Sequence, residues 1–209
     1  MSQSTSGKSG NSDADKQANT WLLPHQVEAM RDACLTSEFP TYLQERNLTV
    51  VDLLYDTGLR ASELVGLDVD HLDLVGTPAT VYLPSYLQKG RPGSATLAIQ
   101  DETARQVRRY LRDRWKDEPA LFVTRSSARM TTRSLRRLVK KIAVVAGVHP
   151  QLVDGGTGDP EDVSPHTLRH SVAYRIIQEE NGRLEDVQLR LRHANRSTTD
   201  AVYSHLVPR

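Results

Sequence analysis

The C-terminal part of the sequence holds four side chains that could together break a phosphodiester bond. His166 and Arg169 lie close together, and His193 and Tyr203 follow further along the chain. A guanidinium is always charged, and its fork matches two phosphate oxygens. Histidine titrates near neutrality and can transfer protons, whereas a tyrosine of pKa about 10 needs a nearby base or cations before it attacks. Such a set can supply a nucleophile, anion stabilisation and proton transfer without a metal.

The order of these residues resembles the tyrosine recombinase family of phage integrases and Xer-like recombinases. The stretch 166–206 is similar to the second conserved box of the family, and the stretch 57–64 is similar to the first. Lys89, between the two boxes, matches the catalytic lysine of the family. Residues 21–206 can be matched in order to the family's catalytic domain, and the match is specific because several polar residue types recur in the right order at the right separations.

The resemblance implies a function and a role for each matching residue. Arg60 and Arg169 would clamp the phosphate, and Tyr203 would attack it to give a 3′-phosphotyrosyl intermediate and a free 5′-hydroxyl. Lys89 would protonate the leaving oxygen, while His166 and His193 would assist proton transfer. The implied partner is double-stranded DNA, with self-assembly as a dimer or tetramer on DNA, accessory DNA-bending proteins, and neither cofactor nor metal.

Ordinary structural roles compete with the assignments of Arg60 and Lys89. Arg60 could simply form an ion pair with Asp56 or Glu63, although Glu63 could also support a phosphate clamp through that pair. Lys89 could be a solvated residue of a polar turn. Arg91 lies close enough in sequence to take the place of Lys89.

The histidines and the tyrosine also have competing interpretations. His166 and His170 are four residues apart on one predicted helix, as zinc ligands are, but no third ligand is evident. His193 could be a charge that complements a helix C-terminus. Tyr203 alone would be interpreted as a half-buried core tyrosine.

The sequence departs from the family pattern in three places. Arg192 stands where the family usually has glycine, so either the turn differs or an extra cation faces DNA. Tyr203 lies ten residues after His193 instead of the common nine, and one extra helical residue rotates a side chain by about 100°. Residues 1–19 are polar and predicted to be a disordered tail, so the usual N-terminal core-binding domain is expected to be absent.

Charge is distributed unevenly along the chain. Residues 1–75 carry 5 basic and 12 acidic side chains, whereas residues 76–209 carry 22 and 14, although the whole chain has a net charge of only +1. The segment 125–141 has seven basic residues and no acidic one, which predicts contacts with DNA phosphates or, alternatively, a solvated helix face. The single cysteine, Cys34, and the lack of any long apolar run predict a cytoplasmic protein.

Hydrophobic spacing predicts the elements that must position these residues. The fold class is α+β, mainly α-helical with a small antiparallel sheet, as in the catalytic domain of tyrosine recombinases. Helices are expected at 24–35, 41–56, 61–66, 101–115, 132–146, 165–178, 184–191 and 197–205, with Asp101 as the cap of the fourth. Short strands separated by glycine and proline are expected between 69 and 99, with an exposed turn at 89–93.

The combined prediction is one catalytic domain at 20–209 of a site-specific DNA recombinase. The alternative is a recombinase-like DNA-binding or regulatory protein with weak or no strand cleavage, and a metal-dependent nuclease ranks below both. Two structural expectations follow. The six predicted site residues should converge on one basic surface, and Tyr203 should be withdrawn from the two arginines while DNA is absent.

Overall fold

The computed structural model describes residues 20–90, 93–192 and 203–206. Seven α-helices lie in these ranges: α1 Pro24–Cys34, α2 Thr41–Thr57, α3 Ala61–Gly66, α4 Asp101–Arg112, α5 Thr132–Ala146, α6 Pro165–Tyr174 and α7 Leu184–Leu191. The predicted tail at 1–19 and most of the helix predicted at 197–205 lie outside the described residues. The described end of that region, Ser204–Leu206, is a short 3₁₀ turn.

Helix α2 is the centre of the helical part. Every residue from Arg46 to Thr57 is buried, because α1, α4 and α6 all pack against this helix. A helix that neighbours surround buries residues on every side, and in α2 these include polar residues such as Asn47 and Asp52. The core therefore forms around α2, whose C-terminal end points toward the first predicted box.

The three short strands form one antiparallel sheet in the order β1–β2–β3. Their bounds are Leu72–Asp73, Thr80–Leu83 and Ala95–Ala98. Val81 is opposite Leu72 on one side and Leu97 on the other, so one face of the sheet carries apolar side chains into the core. Residues 89–90 follow a 3₁₀ turn at Ser85–Leu87 and begin the connection from β2 to β3. The predicted mainly helical α+β fold is confirmed.

Two helices differ from the sequence prediction at their ends. The N-cap of α4 is Gln100 rather than Asp101, and the helix ends at Arg112, three residues before Trp115. Asp101 and Glu102 instead lie in the first turn, where negative charge is favourable. Beyond Tyr174 the predicted sixth long helix widens into a π-helical turn at Arg175–Glu179.

The N-terminal end of the described chain is fixed against α6. Thr20 and Thr167 form a buried hydroxyl hydrogen bond of 3.1 Å, and the backbone nitrogen of Leu22 donates to Ser171 at 2.8 Å. These bonds hold the helix that carries two of the predicted site residues. Within the described residues, every helix is too short or too polar to cross a lipid bilayer.

Candidate active site

A tight corner between α2 and α3 positions Arg60. Gly58 ends α2 with φ +63°, and a Cβ on this residue would lie 2.4 Å from Leu191 Cδ2, so both backbone and packing favour glycine. Arg60 is the N-cap of α3, and its backbone nitrogen donates to Glu63 Oε2 at 2.7 Å. Its side chain donates to Glu63 Oε1 at 2.8 Å. The predicted pairing of Arg60 with Glu63 is therefore present, whereas Asp56 pairs with Arg190.

Helix α6 places Arg169 against the same corner. Ser164 is the N-cap of α6 and its hydroxyl accepts from Thr167, while Pro165 occupies the first helical position. One turn later, Arg169 is 2% exposed and donates to the carbonyls of Gly58 and Leu191. The guanidinium thus holds together the ends of α2 and α7 near Arg60.

Burial and neighbouring cations act on Arg169 in the same direction. Burial lowers the pKa of Arg169, and the charges of Arg60 and Arg192 lower it further. A guanidinium nevertheless stays charged in proteins. Three cations that repel one another around a single buried carboxylate leave excess positive charge, which a phosphate could neutralise.

Three rings form a row next to these arginines. The rings of His166 and His170 meet edge to face with centroids 4.4 Å apart, and His170 lies 5.2 Å from the ring of Tyr203. His166 is exposed on one side, but the protein around it and the charges of Arg169 and Arg60 lower its pKa. The imidazole is therefore kept neutral, the form that can accept a proton.

Tyr203 is 2% exposed. Burial raises the pKa of the Tyr203 phenol, and the charges of Arg169 and Arg60 oppose the increase without cancelling it. The ring is thus near the arginine pair but enclosed by protein. The expected withdrawal of Tyr203 in the absence of DNA stays a prediction.

An open groove of 660 Å³ runs past this cluster. Arg60, His166 and Arg169 lie in its wall, together with Arg136 and Lys140 from α5. Arg136 and Lys140 are exposed and four residues apart, so they share one face of the helix. Arg133 and Arg137 are also exposed but do not line the groove. Only part of the basic segment 125–141 therefore lines the groove.

Two predicted site residues are not brought into this groove by the described chain. Lys89 is exposed in the turn after Ser85–Leu87 and lies outside the groove lining. His193 lies outside the described residues, as do the residues that separate it from Tyr203. Of the six predicted residues, three line one groove, and Tyr203 is buried beside them.

Sequence comparison identifies the family. The sequence model of the Phage integrase family matches residues 20–209. The chain belongs to the phage integrase family. A tyrosine recombinase XerC of Bifidobacterium longum subsp. infantis is 30% identical over 224 residues, which cover 97% of this chain and 55% of the relative. A XerD of Oceanobacillus iheyensis is 32% identical, with 84% and 55% covered. The chain thus spans about half the length of these curated relatives.

Solved structures confirm the fold of an integrase catalytic domain. The crystal structure of XerA recombinase aligns with a TM-score of 0.68 at 22% identity, covering 90% of this chain and 66% of that one. The catalytic domain of bacteriophage HP1 integrase aligns with a TM-score of 0.60 at 17% identity, covering 91% and 89%. XerH bound to a palindromic difH substrate, in a post-cleavage complex, has a TM-score of 0.71 at 20% identity, covering 90% and 50%.

Arg192, which departs from the glycine usual in this integrase family, points into the protein. It adopts the left-handed backbone conformation, with φ 54° and ψ 48°, at the C-cap of α7. Its side chain is only 9% exposed, and Nη2 donates to Glu63 Oε2 at 2.8 Å. The prediction that an extra cation faces DNA here is wrong. Only the fold could reveal this pair, because Glu63 and Arg192 are far apart in sequence.

One group in the described part of this integrase has the spacing of metal ligands. Ligand atoms of Asp68, Asp70 and His71 lie within 4.8 Å of one another. However, Asp68 forms an ion pair with Arg129, and Nδ1 of His71 accepts a hydrogen bond from the Asp68 backbone at 3.1 Å. These contacts explain why the three side chains lie together in a local turn, and none of the three lines the groove.

Proposed function

We propose that this chain is the catalytic part of a site-specific DNA recombinase that cleaves and rejoins strands through a 3′-phosphotyrosyl intermediate. One observation carries the proposal: Arg60, Arg169 and His166 share the wall of one groove, and Tyr203 is packed next to them. The relatives named XerC and XerD are tyrosine recombinases, and the structurally similar XerH was captured on a DNA substrate. The whole protein would act on DNA in the cytoplasm.

The proposed cleavage step uses only side chains of this chain. Oη of Tyr203 forms a bond to phosphorus and the bond from phosphorus to O5′ breaks, while Arg60 and Arg169 stabilise the charge on the non-bridging oxygens. His166, held neutral, accepts the phenolic proton. Lys89 donates a proton to O5′, and His193 assists. The reverse sequence with a different 5′-hydroxyl rejoins the strands.

DNA binding is proposed to complete this arrangement. The phenol of Tyr203 is enclosed and its pKa is raised, so in the described conformation it is a weak nucleophile. A phosphate in the groove would need the tyrosine to emerge and Lys89 to approach from its exposed turn. We propose that assembly on duplex DNA as a dimer or tetramer, with the help of DNA-bending proteins, drives both changes.

A covalent-trapping experiment tests this function. The chain is incubated without metal with a pool of nicked duplexes of randomised sequence, in which the fragment released by cleavage diffuses away. Adducts that survive denaturation are sequenced, and peptide mass spectrometry locates the nucleotide. We expect adduct on Tyr203 only. Tight DNA binding without any adduct would instead identify a non-cleaving relative, and adduct that requires magnesium would contradict the mechanism.

A further inference from the structure

Arg192 has an unfavourable backbone conformation, and the ion pair that its side chain forms with Glu63 helps to stabilise it. Its φ of 54° lies in the left-handed region, which glycine adopts without cost and side-chain-bearing residues adopt with a penalty. The preceding helix α7 is fixed because Arg190 donates to the carbonyl and carboxylate of Asp56 at 2.7 and 2.8 Å. Arg192 is thereby aimed inward from a fixed helix end.

The target of Arg192 is the carboxylate that also holds Arg60. Glu63 is fully buried, and both of its oxygens accept hydrogen bonds. Oε1 accepts from the Arg60 guanidinium at 2.8 Å, whereas Oε2 accepts from the Arg60 backbone at 2.7 Å and from Arg192 Nη2 at 2.8 Å. The carboxylate therefore connects Arg192, from the end of α7, with Arg60, from the start of α3.

We propose that Arg192 is a positioning residue, which fixes the guanidinium of Arg60 toward the groove by holding the shared carboxylate of Glu63. A guanidinium that binds a phosphate must be held close to its productive geometry, and that depends on the groups behind it. Arg192 does not line the groove, so it acts through Glu63 rather than on the phosphate. This role rests on the proposed function, because it concerns how the phosphate clamp is oriented.

Charge balance supports the same assignment. Burial by itself would raise the pKa of Glu63, but the charge of Arg192 and the hydrogen bonds from Arg60 outweigh burial and keep the pKa below its ordinary value. Arg169 of α6 is the third charged group that acts on this cluster. Without Arg192, the buried carboxylate would lose a major compensating charge, so it would take up a proton more readily or draw Arg60 further inward.

Substitution by glycine separates positioning from folding. Arg192→Gly removes the guanidinium but also relieves the backbone penalty, which offsets part of the destabilisation from the lost ion pair, so the urea midpoint of unfolding should fall less than in Arg192→Ala. We expect adduct formation to slow by about tenfold, with DNA affinity changed by less than about twofold, as for other residues that orient a functional group. In Arg192→Gly the rate should also begin to fall at a higher pH than in wild type, as Glu63 takes up a proton, and the double variant with Glu63→Gln should lose this additional fall while keeping the acidic limb of His166. Arg192→Lys, which keeps a cation, should recover part of the rate.

A measurement without DNA keeps this inference separate from the proposed function. The NMR signal of the Arg60 side-chain Nε–H, identified by its loss in Arg60→Lys, should shift in Arg192→Gly and change less in Arg192→Lys. An unchanged signal together with a rate within twofold of wild type would overturn the positioning role. If the wild-type chain forms no adduct, the proposed function fails, and the Arg60 signal alone decides the positioning role.

Discussion

Two basic regions of this integrase differ in how far their cationic side chains are buried and in whether protein oxygens already bind them. Around Glu63, three arginines are largely buried and bonded to carboxylate or carbonyl oxygens: Arg60, Arg169 and Arg192. Along α5, the basic side chains Arg133, Arg136, Arg137 and Lys140 are exposed. Buried cations are held in place before a ligand binds, and their attraction for a bound anion is strong because water is excluded. Exposed cations are surrounded by water and salt, which screen their attraction for an anion. The first region is suited to catalysis and the second to affinity.

The largest expected effect concerns the residue enclosed beside the buried arginines. Tyr203→Phe removes the nucleophilic oxygen but keeps the ring that packs near His170, so folding and DNA binding should survive and covalent adduct should be absent. Denaturing electrophoresis after incubation with the nicked duplex pool measures this. Tyr82→Phe, on the exposed side of β2, is the matched control and should behave like wild type. Adduct at the wild-type rate in the first variant would refute the assignment of the nucleophile.

The same chemical change should have different consequences in the two basic regions. Arg169→Lys keeps the charge but loses the fork that reaches the carbonyls of Gly58 and Leu191. We expect adduct formation to slow by about 10²–10³-fold and the free energy of unfolding to decrease by about 1–3 kcal/mol. Arg137→Lys on α5 should change neither quantity measurably. Equal effects of the two substitutions, in single-turnover kinetics and urea unfolding, would remove the distinction between the regions.

A pH dependence should mark His166, on the wall of the groove. Because its pKa is lowered, the neutral form persists below the ordinary value of about 6.5, so adduct formation should be retained there and fall only at more acidic pH. His166→Gln should remove this acidic limb and slow the reaction by about 10²-fold. His25→Gln, on α1, serves as the control. An acidic limb that persists in His166→Gln would assign the titration to another group.

The same lowered pKa has a consequence for stability. Below pH about 6.5, the unfolded chain binds a proton at His166 more readily than the folded chain does, so the free energy of unfolding should decrease as the pH falls. Urea unfolding of wild type and His166→Gln between pH 7.5 and 5.5 measures this decrease. The part of the decrease that comes from His166 should be present in wild type and absent in His166→Gln. This pH range includes the ordinary histidine pKa of about 6.5, at which the unfolded chain takes up the proton.

The smallest effect concerns the basic side chains of α5, of which some line the groove and others do not. Replacing Arg136 and Lys140 together by alanine should flatten the dependence of log affinity on log salt by about two units, or about one per lost phosphate contact, because both line the groove. Replacing Arg133 and Arg137, which do not line it, should flatten the slope less. Fluorescence anisotropy with duplex DNA at several salt concentrations compares the pairs. Equal slopes would mean that the whole helix surface contributes alike.

Sequence alone determined the helices and the residue types of the site. Apolar spacing predicted α2 over 41–56, one residue short of its observed end at Thr57, and predicted that the helix carrying His166 and Arg169 begins at residue 165. These signals are local, since they depend on neighbours within one or two helical turns. Even a favourable local signal can mislead, because Asp101 was predicted as the N-cap of α4, whereas the N-cap is Gln100 and Asp101 lies in the first turn.

Tertiary structure decided which of these residues meet. No spacing rule connects Glu63 with Arg192, or divides the basic residues of α5 into those that face the groove and those that do not. Such contacts depend on how helices far apart in sequence pack against α2, and a small rotation of one helix would change its neighbours. The sequence therefore predicted the chemistry of the site, whereas its burial, its shared carboxylate and the inward direction of Arg192 arose only from the fold.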